Sequence, residues 1–329
     1  MKNPPTTLCY AAKNRNESLR LAASSGGVFS LLAHTVLSEN GLVYGAAYDA
    51  EEAVRHIRVS SEKELKRLYG AKYAPSDISG IYEAVRDDLE KGRRVLFSGT
   101  PCQTAGLSHF LKKDTEQLLL VDLVCHGVPT GEAWKSYLAY RQREDGQESP
   151  PSRIDLRSKA TGWSHYGYAV SFDYPSGFHY EKRNTEDSYL QAFTSNLTLR
   201  TACLTCSHKG LDRVSDFTLG DLWGVWDILP EMDDDKGVSL VMVHSEKGRR
   251  LWQTLQKEVE CQEITPDQAV RQNPSILRSS PAHPRREEAL TRMREEGWEA
   301  IDRILTEEKR KRAGGFWTKF RKLGKKRPT

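Results

Sequence analysis

The residues in this chain best suited to chemistry are its six cysteines: Cys9, Cys102, Cys125, Cys203, Cys206 and Cys261. Cys203 and Cys206 form a CxxC, a spacing that lets two thiolates bind one centre. Cys102 follows the apolar run Arg94 to Ser98 and the turn Gly99-Thr100-Pro101, and Cys125 directly follows the run Leu118 to Val124. Both runs read as buried strands, and Gln103 to Leu111 between them suits a helix. Strand, helix, strand is a βαβ unit, with parallel strands and a right-handed crossover. Ligands gather just past the carboxyl ends of such strands. Cys102 and Cys125 are therefore expected on one rim of a sheet despite their separation in sequence. With the CxxC they make four sulfur donors, which suit either Zn²⁺ or a [4Fe–4S] cluster. Single ligands at the rim of a sheet favour a functional centre over a structural zinc knuckle. Spacing alone leaves three other readings open: zinc, a redox dithiol at Cys203 and Cys206, and no shared site. Cys9 and Cys261 lie in polar or helical stretches and read as bystanders.

Glycine-rich turns are the second kind of chemical signal. Ser24-Ser25-Gly26-Gly27 stands before the helical pattern Val28, Leu31, Leu32, Val36, Leu37. Free N–H groups at such a helix start suit a phosphate, and ordinary capping explains the same residues. Gly99-Thr100-Pro101 is a similar turn. Gly70-Ala71-Lys72-Tyr73 supplies a cation and an aromatic face, and Gly220-Asp221-Leu222-Trp223-Gly224 places Asp221 and Trp223 after a short strand, near a planar ring or in an ordinary turn. Neither G-x-G-x-x-G nor a P-loop occurs, so a standard dinucleotide fold or NTPase is not supported.

These residues need a scaffold, and the 329-residue chain is long enough for two ordinary domains or one large α/β domain with an appendage. The expected class is α/β, with a βαβ parallel sheet in the N-terminal half, a β-richer second half and C-terminal helices. The expected division is 1–150, an N-terminal α/β region, 151–280, an α+β region with the CxxC, and 281–329, a helix and basic tail. Residues 1–25 read as polar and irregular. Strands are expected at 42–48, 54–59, 153–157, 166–173, 178–182, 216–219 and 239–244. Helices are expected at 61–68, 77–91, 130–143, 187–195 and 245–258, and one helix is expected over 284–308.

Charge is unevenly distributed. The formal net charge is +4, yet ten Lys and Arg residues and no acid lie from Lys309 onward, so residues 1–308 carry 39 bases against 45 acids, a balance of −6. The body is mildly acidic, which argues against a nucleic-acid partner on charge grounds. In the tail, Phe316, Phe320 and Leu323 fall at i, i+4 and i+7 with Trp317 beside them. That pattern suits peripheral contact of residues 313–329 with an anionic membrane, or a solvated tail. No window approaches the ~18 consecutive apolar residues of a span, and no secretory leader is evident at the start, so a cytoplasmic protein is expected.

Taken in order, these motifs resemble one family. Ser24-Ser25-Gly26-Gly27-Val28-Phe29, Gly45-Ala46-Ala47-Tyr48-Asp49, Gly70-Ala71-Lys72-Tyr73, Phe97-Ser98-Gly99-Thr100-Pro101-Cys102-Gln103 and Val121 to Pro129 come first. Arg200 to Cys206, Ser215 to Gly224 and Asp235 to Leu240 continue the set. Over about residues 20–250 the chain is similar to the beta subunit of the coenzyme F420 hydrogenase/dehydrogenase family. The resemblance implies an oxidoreductase carrying FAD and a [4Fe–4S] cluster. It would take a hydride from, or give one to, a soluble carrier or small-molecule substrate, and exchange single electrons with a redox partner protein. It implies Cys102, Cys125, Cys203 and Cys206 as cluster ligands. Ser25, Gly26, Gly27, Lys72, Thr100 and Gln103 become candidates for flavin contact, and Lys72 and His126 candidates for stabilising reduced flavin or relaying a proton. Many relatives carry an N-terminal ferredoxin module, whereas only Cys9 precedes Cys102 here. Homologues also occur in bacteria without the deazaflavin, often among genes for surface polysaccharides, so polysaccharide biosynthesis is a candidate context. The rival function is a zinc-binding accessory protein of a glycan-assembly complex.

Overall fold

The computed structural model describes residues 7–164 and 167–323, with side chains as far as Lys311. Among these residues the strands are β1 (Leu8–Asn14), β2 (Leu42–Tyr48), β3 (Val54–Val59), β4 (Val95–Gly99), β5 (Leu118–Leu123), β6 (Arg153–Ser158), β7 (Ala169–Asp173), β8 (His179–Arg183), β9 (Phe217–Asp221), β10 (Ser239–Val243) and β11 (Val259–Ile264). Eight of them form one mixed sheet in the order β11-β1-β10-β9-β5-β4-β2-β3, and β6-β7-β8 form a separate antiparallel sheet. The centre of the large sheet, β2-β4-β5-β9, is parallel, and antiparallel strands extend it on both sides.

The parallel strands are largely apolar because both of their faces are covered. On β4, Val95 and Phe97 pack with Val85 and Leu107 from the helices Ile81–Glu90 and Pro101–Leu111. Leu96 points the other way, into a core shared with Val28, Leu32 and Val36 of the helix Val28–Ser38. The strand period of two thus feeds two cores at once. A third, aromatic core built around Tyr137, Tyr189, Phe172 and Trp298 joins the small sheet to the terminal helices.

The expected class holds: an α/β chain with a parallel core in its first half, three antiparallel strands later and helices at the end. The βαβ unit is present as β4, the helix Pro101–Leu111 and β5, with Val95 opposite Leu118 and Gly99 opposite Asp122. Several details differ. Residues 8–14 are an interior strand, paired with β10 and β11, and a short helix spans Glu17–Ala22. A short run of moderate hydrophobicity suffices there because its partners, such as Val243 opposite Leu8, come from the far end of the chain. β11 follows the helix expected over 245–258, where no strand was expected, and it carries Cys261 on the outermost strand. The helix expected over 284–308 is two helices, Arg286–Glu296 and Glu299–Leu323, separated at Gly297, whose φ of 77° breaks the helical path. The helix expected from 77 starts at Ile81, after Gly80 with φ 73°. The expected strand 166–173 begins at Ala169, and residue 166 lies outside the described residues. Strands from the second half of the chain, β9 to β11, complete the same sheet as β2 to β5.

Among the described residues no helix is long and apolar enough to cross a membrane. The backbone of the last helix continues to Leu323. The side chains of the amphipathic tail, 313–329, lie outside the described residues.

Candidate functional site

The carboxyl ends of β2, β4, β5 and β9 open into a cavity of about 1290 Å³. That volume exceeds what one ordinary small molecule fills. Cys102, Cys125, Cys203 and Cys206 all line it, and all four are free thiols. Cys9 is buried on β1, Cys261 sits on β11, and neither lines the cavity.

Each thiol is delivered by a distinct local device. Pro101 at the first helical position and the Gln103 side chain, which accepts the Thr100 N–H at 2.9 Å, fix the start of the helix that carries Cys102. The Thr100 hydroxyl lies 3.1 Å from Cys102 Sγ. Cys125 stands two residues past β5, where Lys209 donates to its carbonyl and to that of Ser275, at 2.8 Å for the latter. The CxxC occupies the one-turn helix Thr201–Leu204 and the residues after it. The Val128 N–H points at Cys203 Sγ and the His208 N–H at Cys206 Sγ, each at 3.4 Å. Gly127, with φ 152°, lets the chain pass beside Cys203: a Cβ there would sit 3.4 Å from the Cys203 Cβ and 2.9 Å from Leu199.

The thiols feel one another. Burial pushes Cys125 up to about 12; Lys209 opposes the rise, and Cys203 and Cys102 add to it. Burial also raises Cys203, the Val128 N–H and Arg200 oppose this, and Cys102 and Cys206 add to the rise. Cys125 and Cys203 therefore keep their protons unless a cationic centre displaces them. Among the described residues no three His, Cys, Asp or Glu side chains are grouped tightly enough for a single metal ion.

The other sequence-derived candidates are placed unevenly. Ser25, Gly27, Lys72, Thr100, Gln103 and His126 line the cavity, but Gly26 does not. Gly26 faces away, against the paired Ala12 of β1 and Ser239 of β10, and its N–H donates to Ser239 Oγ at 2.9 Å. Lys72 Nζ donates to the carbonyls of Arg67, Tyr69 and Gly70 at 3.2, 2.5 and 3.3 Å, which uses all three of its protons. Burial pushes Lys72 down to about 7, against the pull of Asp155. The Nε2–H of His126 donates to Asn196 Oδ1 at 2.6 Å, and Nδ1 lies 3.4 Å from Ser280 Oγ. Burial lowers His126 from its ordinary value, which favours the neutral ring. Gln103 is occupied with the helix cap, as described above.

Sequence reading missed the wall built by β6. Arg157, only 2 % exposed, pairs with Asp221 Oδ2 at 3.0 Å. Its guanidinium lies 3.9 Å from the centre of the Tyr168 ring and 5.1 Å from that of Trp223. Trp163 stacks on Trp223 at 5.2 Å and donates Nε1–H to Asp221. Arg157, Tyr168, Asp221 and Trp223 line the cavity as one charged and aromatic face. Asp221 and Trp223 were visible as a motif. Arg157 gave no signal, because an arginine on a strand with alternating charge usually faces water.

Known proteins share this architecture. Residues 92–268 match a family model that describes the C terminus of the beta subunit of coenzyme F420 hydrogenase/dehydrogenase. Among solved structures, a chain of the xenon-derivatised F420-reducing [NiFe] hydrogenase complex from Methanosarcina barkeri superposes with a TM-score of 0.52 at 16% identity, over 81% of this chain and 89% of that one. At that identity the likeness is one of fold. No curated protein matches.

Proposed function

Because the chain belongs, through residues 92–268, to the family defined by the C-terminal region of the coenzyme F420 hydrogenase/dehydrogenase beta subunit, we propose that it is an oxidoreductase holding FAD and a [4Fe–4S] cluster in the cavity at the rim of its parallel sheet. One observation carries this reading: four free thiols from three separate segments line a single cavity. Cys102, Cys125, Cys203 and Cys206 would ligate the cluster. Backbone N–H groups already directed at Cys203 and Cys206, and the Lys209 ammonium near Cys125, suit thiolates in a negatively charged centre. A [4Fe–4S] cluster brings its own iron and sulfide, so its ligands stand around a larger body than a lone Zn²⁺ does.

FAD, when bound, supplies the exchange between a hydride and single electrons. The protein's part is to bind and orient. Ser25 and Gly27, at the start of the helix Val28–Ser38, and Thr100, at the start of Pro101–Leu111, bring two positive helix ends to the cavity. Lys72 shapes the turn 67–70 and, with its pKa near 7, holds or releases a proton at Nζ around neutrality. His126 presents a neutral imidazole fixed by Asn196. The hydride donor or acceptor is a soluble carrier or small molecule. The related chain comes from a hydrogenase complex, which supports a redox partner protein here also.

Anaerobic purification with iron, sulfide, zinc and flavin analysis tests the reading. The expected result is four iron and four sulfide per chain with one FAD. Zinc in place of iron and flavin would support an accessory role instead, and absence of all three would end the proposal.

A further inference from the structure

The three-stranded sheet is separate from the large one, yet two of its cations reach the glycine-rich turn. Lys159, the first residue past β6, donates Nζ–H to the carbonyls of Arg20 and Ser25 at 2.7 and 2.6 Å. Arg157 donates to the carbonyl of Ser24 at 3.3 Å. The next two carbonyls are also taken: Gly26 O accepts the Asn14 N–H at 2.8 Å, and Gly27 O accepts from Ser30 Oγ at 2.7 Å and Asn14 Nδ2 at 3.2 Å. Four successive carbonyls, 24 to 27, are thus drawn onto protein donors. Ser24, Ser25, Gly27, Val28 and Phe29 nevertheless line the cavity. The turn is left facing the cavity at the positive end of an 11-residue helix. Beside it, Arg157 Nε is buried without a hydrogen-bond partner.

A carbonyl oxygen released from this arrangement would bring partial negative charge to the positive end of that helix. We propose that Lys159 is a positioning residue: by holding the Arg20 and Ser25 carbonyls it keeps the turn's cationic side toward the cavity, and so sets the affinity for an anionic group of the ligand bound there. The role of Lys159 is carried by these contacts. The identity of the anionic group as the FAD diphosphate rests on the flavin reading above.

Lys159→Met, the milder Lys159→Gln and the conservative Lys159→Arg test this in the full chain. Two measurements keep the clamp and the flavin reading apart. The first is hydrogen exchange of the protein without added flavin. Loss of two hydrogen bonds should speed exchange of the amides in 24–29 on the order of tenfold in the Met and Gln variants, with 95–99 and 118–123 unchanged and protection restored by Arg. The second is titration with FAD, with riboflavin, which lacks phosphate, and with inorganic pyrophosphate. FAD and pyrophosphate should bind on the order of tenfold more weakly in the Met and Gln variants, while riboflavin is unaffected. Unchanged exchange in 24–29 overturns the clamp. Equal losses for FAD and riboflavin overturn its role toward the anion. A wild-type protein that binds pyrophosphate but no flavin overturns the flavin reading and leaves the clamp supported by its own two arms.

Discussion

Gly26→Ala separates packing from ligand contact at the glycine-rich turn. A Cβ on Gly26 would lie 2.6 Å from Ser239 N and 3.0 Å from Ser239 Oγ, and nearer still to the Ala12 carbonyl oxygen. Those atoms belong to a registered pair in the interior of the sheet, Ala12 on β1 opposite Ser239 on β10, so neither can retreat without breaking the ladder. The turn must lift instead, which costs the Gly26 N–H bond to Ser239 Oγ and the Asn14 N–H bond to Gly26 O. Overpacking of this kind costs roughly 1–3 kcal/mol, and two hydrogen bonds add about 1 kcal/mol each, so the expected loss is roughly 3–5 kcal/mol. Gly70→Ala is the control. Gly70 has φ +76°, and a methyl group there would have nothing within 4 Å, so alanine meets only the left-handed backbone penalty, about 1–2 kcal/mol. Urea unfolding followed by tryptophan fluorescence reads both variants as midpoint shifts at constant slope. If Gly26→Ala unfolds with wild-type behaviour, or costs less than Gly70→Ala, the placement of the turn on the β1–β10 pair is wrong. A variant that stays fully stable yet loses flavin would return Gly26 to the role of ligand contact that the sequence suggested.

Three further outcomes are expected. Cys203→Ser should remove the broad visible absorbance of the anaerobically reconstituted protein while Cys261→Ser retains it; equal spectra would contradict the four-thiol centre. His244 is buried, which pushes it down to about 4, with Arg213 adding to the shift. The unfolded imidazole takes a proton below its ordinary 6.5 and the folded one does not until about 4, so stability is lost as pH falls through that window, by about 3 kcal/mol in all. His244→Asn should therefore flatten the pH dependence of urea midpoints between 6.5 and 4, and an unchanged slope would refute the assignment. If the basic tail contacts membranes, deleting residues 313–329 should abolish co-sedimentation with anionic liposomes at low salt; no change on deletion would reject attachment through the tail.

Much of the site could be read from local pattern. The apolar runs Arg94 to Ser98 and Leu118 to Val124 read as parallel strands, and the ends of such strands are where ligands gather, so Cys102 and Cys125 could be placed together from sequence alone. Lys72 and Gln103 line the cavity, but their polar atoms turn back onto the local chain, a detail decided by a few ångströms of loop geometry. Gly26 was legible as a turn glycine. What it approaches was not, because Ala12 and Ser239 become neighbours only when β1 inserts beside β10.

The amino-acid order by itself determined the elements whose hydrophobic period is strong, the cysteines past the ends of two parallel strands and the basic charge of the tail. Tertiary structure alone decided that β1 and β11 join the main sheet, since short strands of weak pattern are stabilised by partners distant in sequence. It also decided that Arg157 and Lys159 turn inward. Burial of such cations is tolerable only where an aspartate, aromatic faces and backbone carbonyls from remote segments converge on them, and no local window of sequence contains that information.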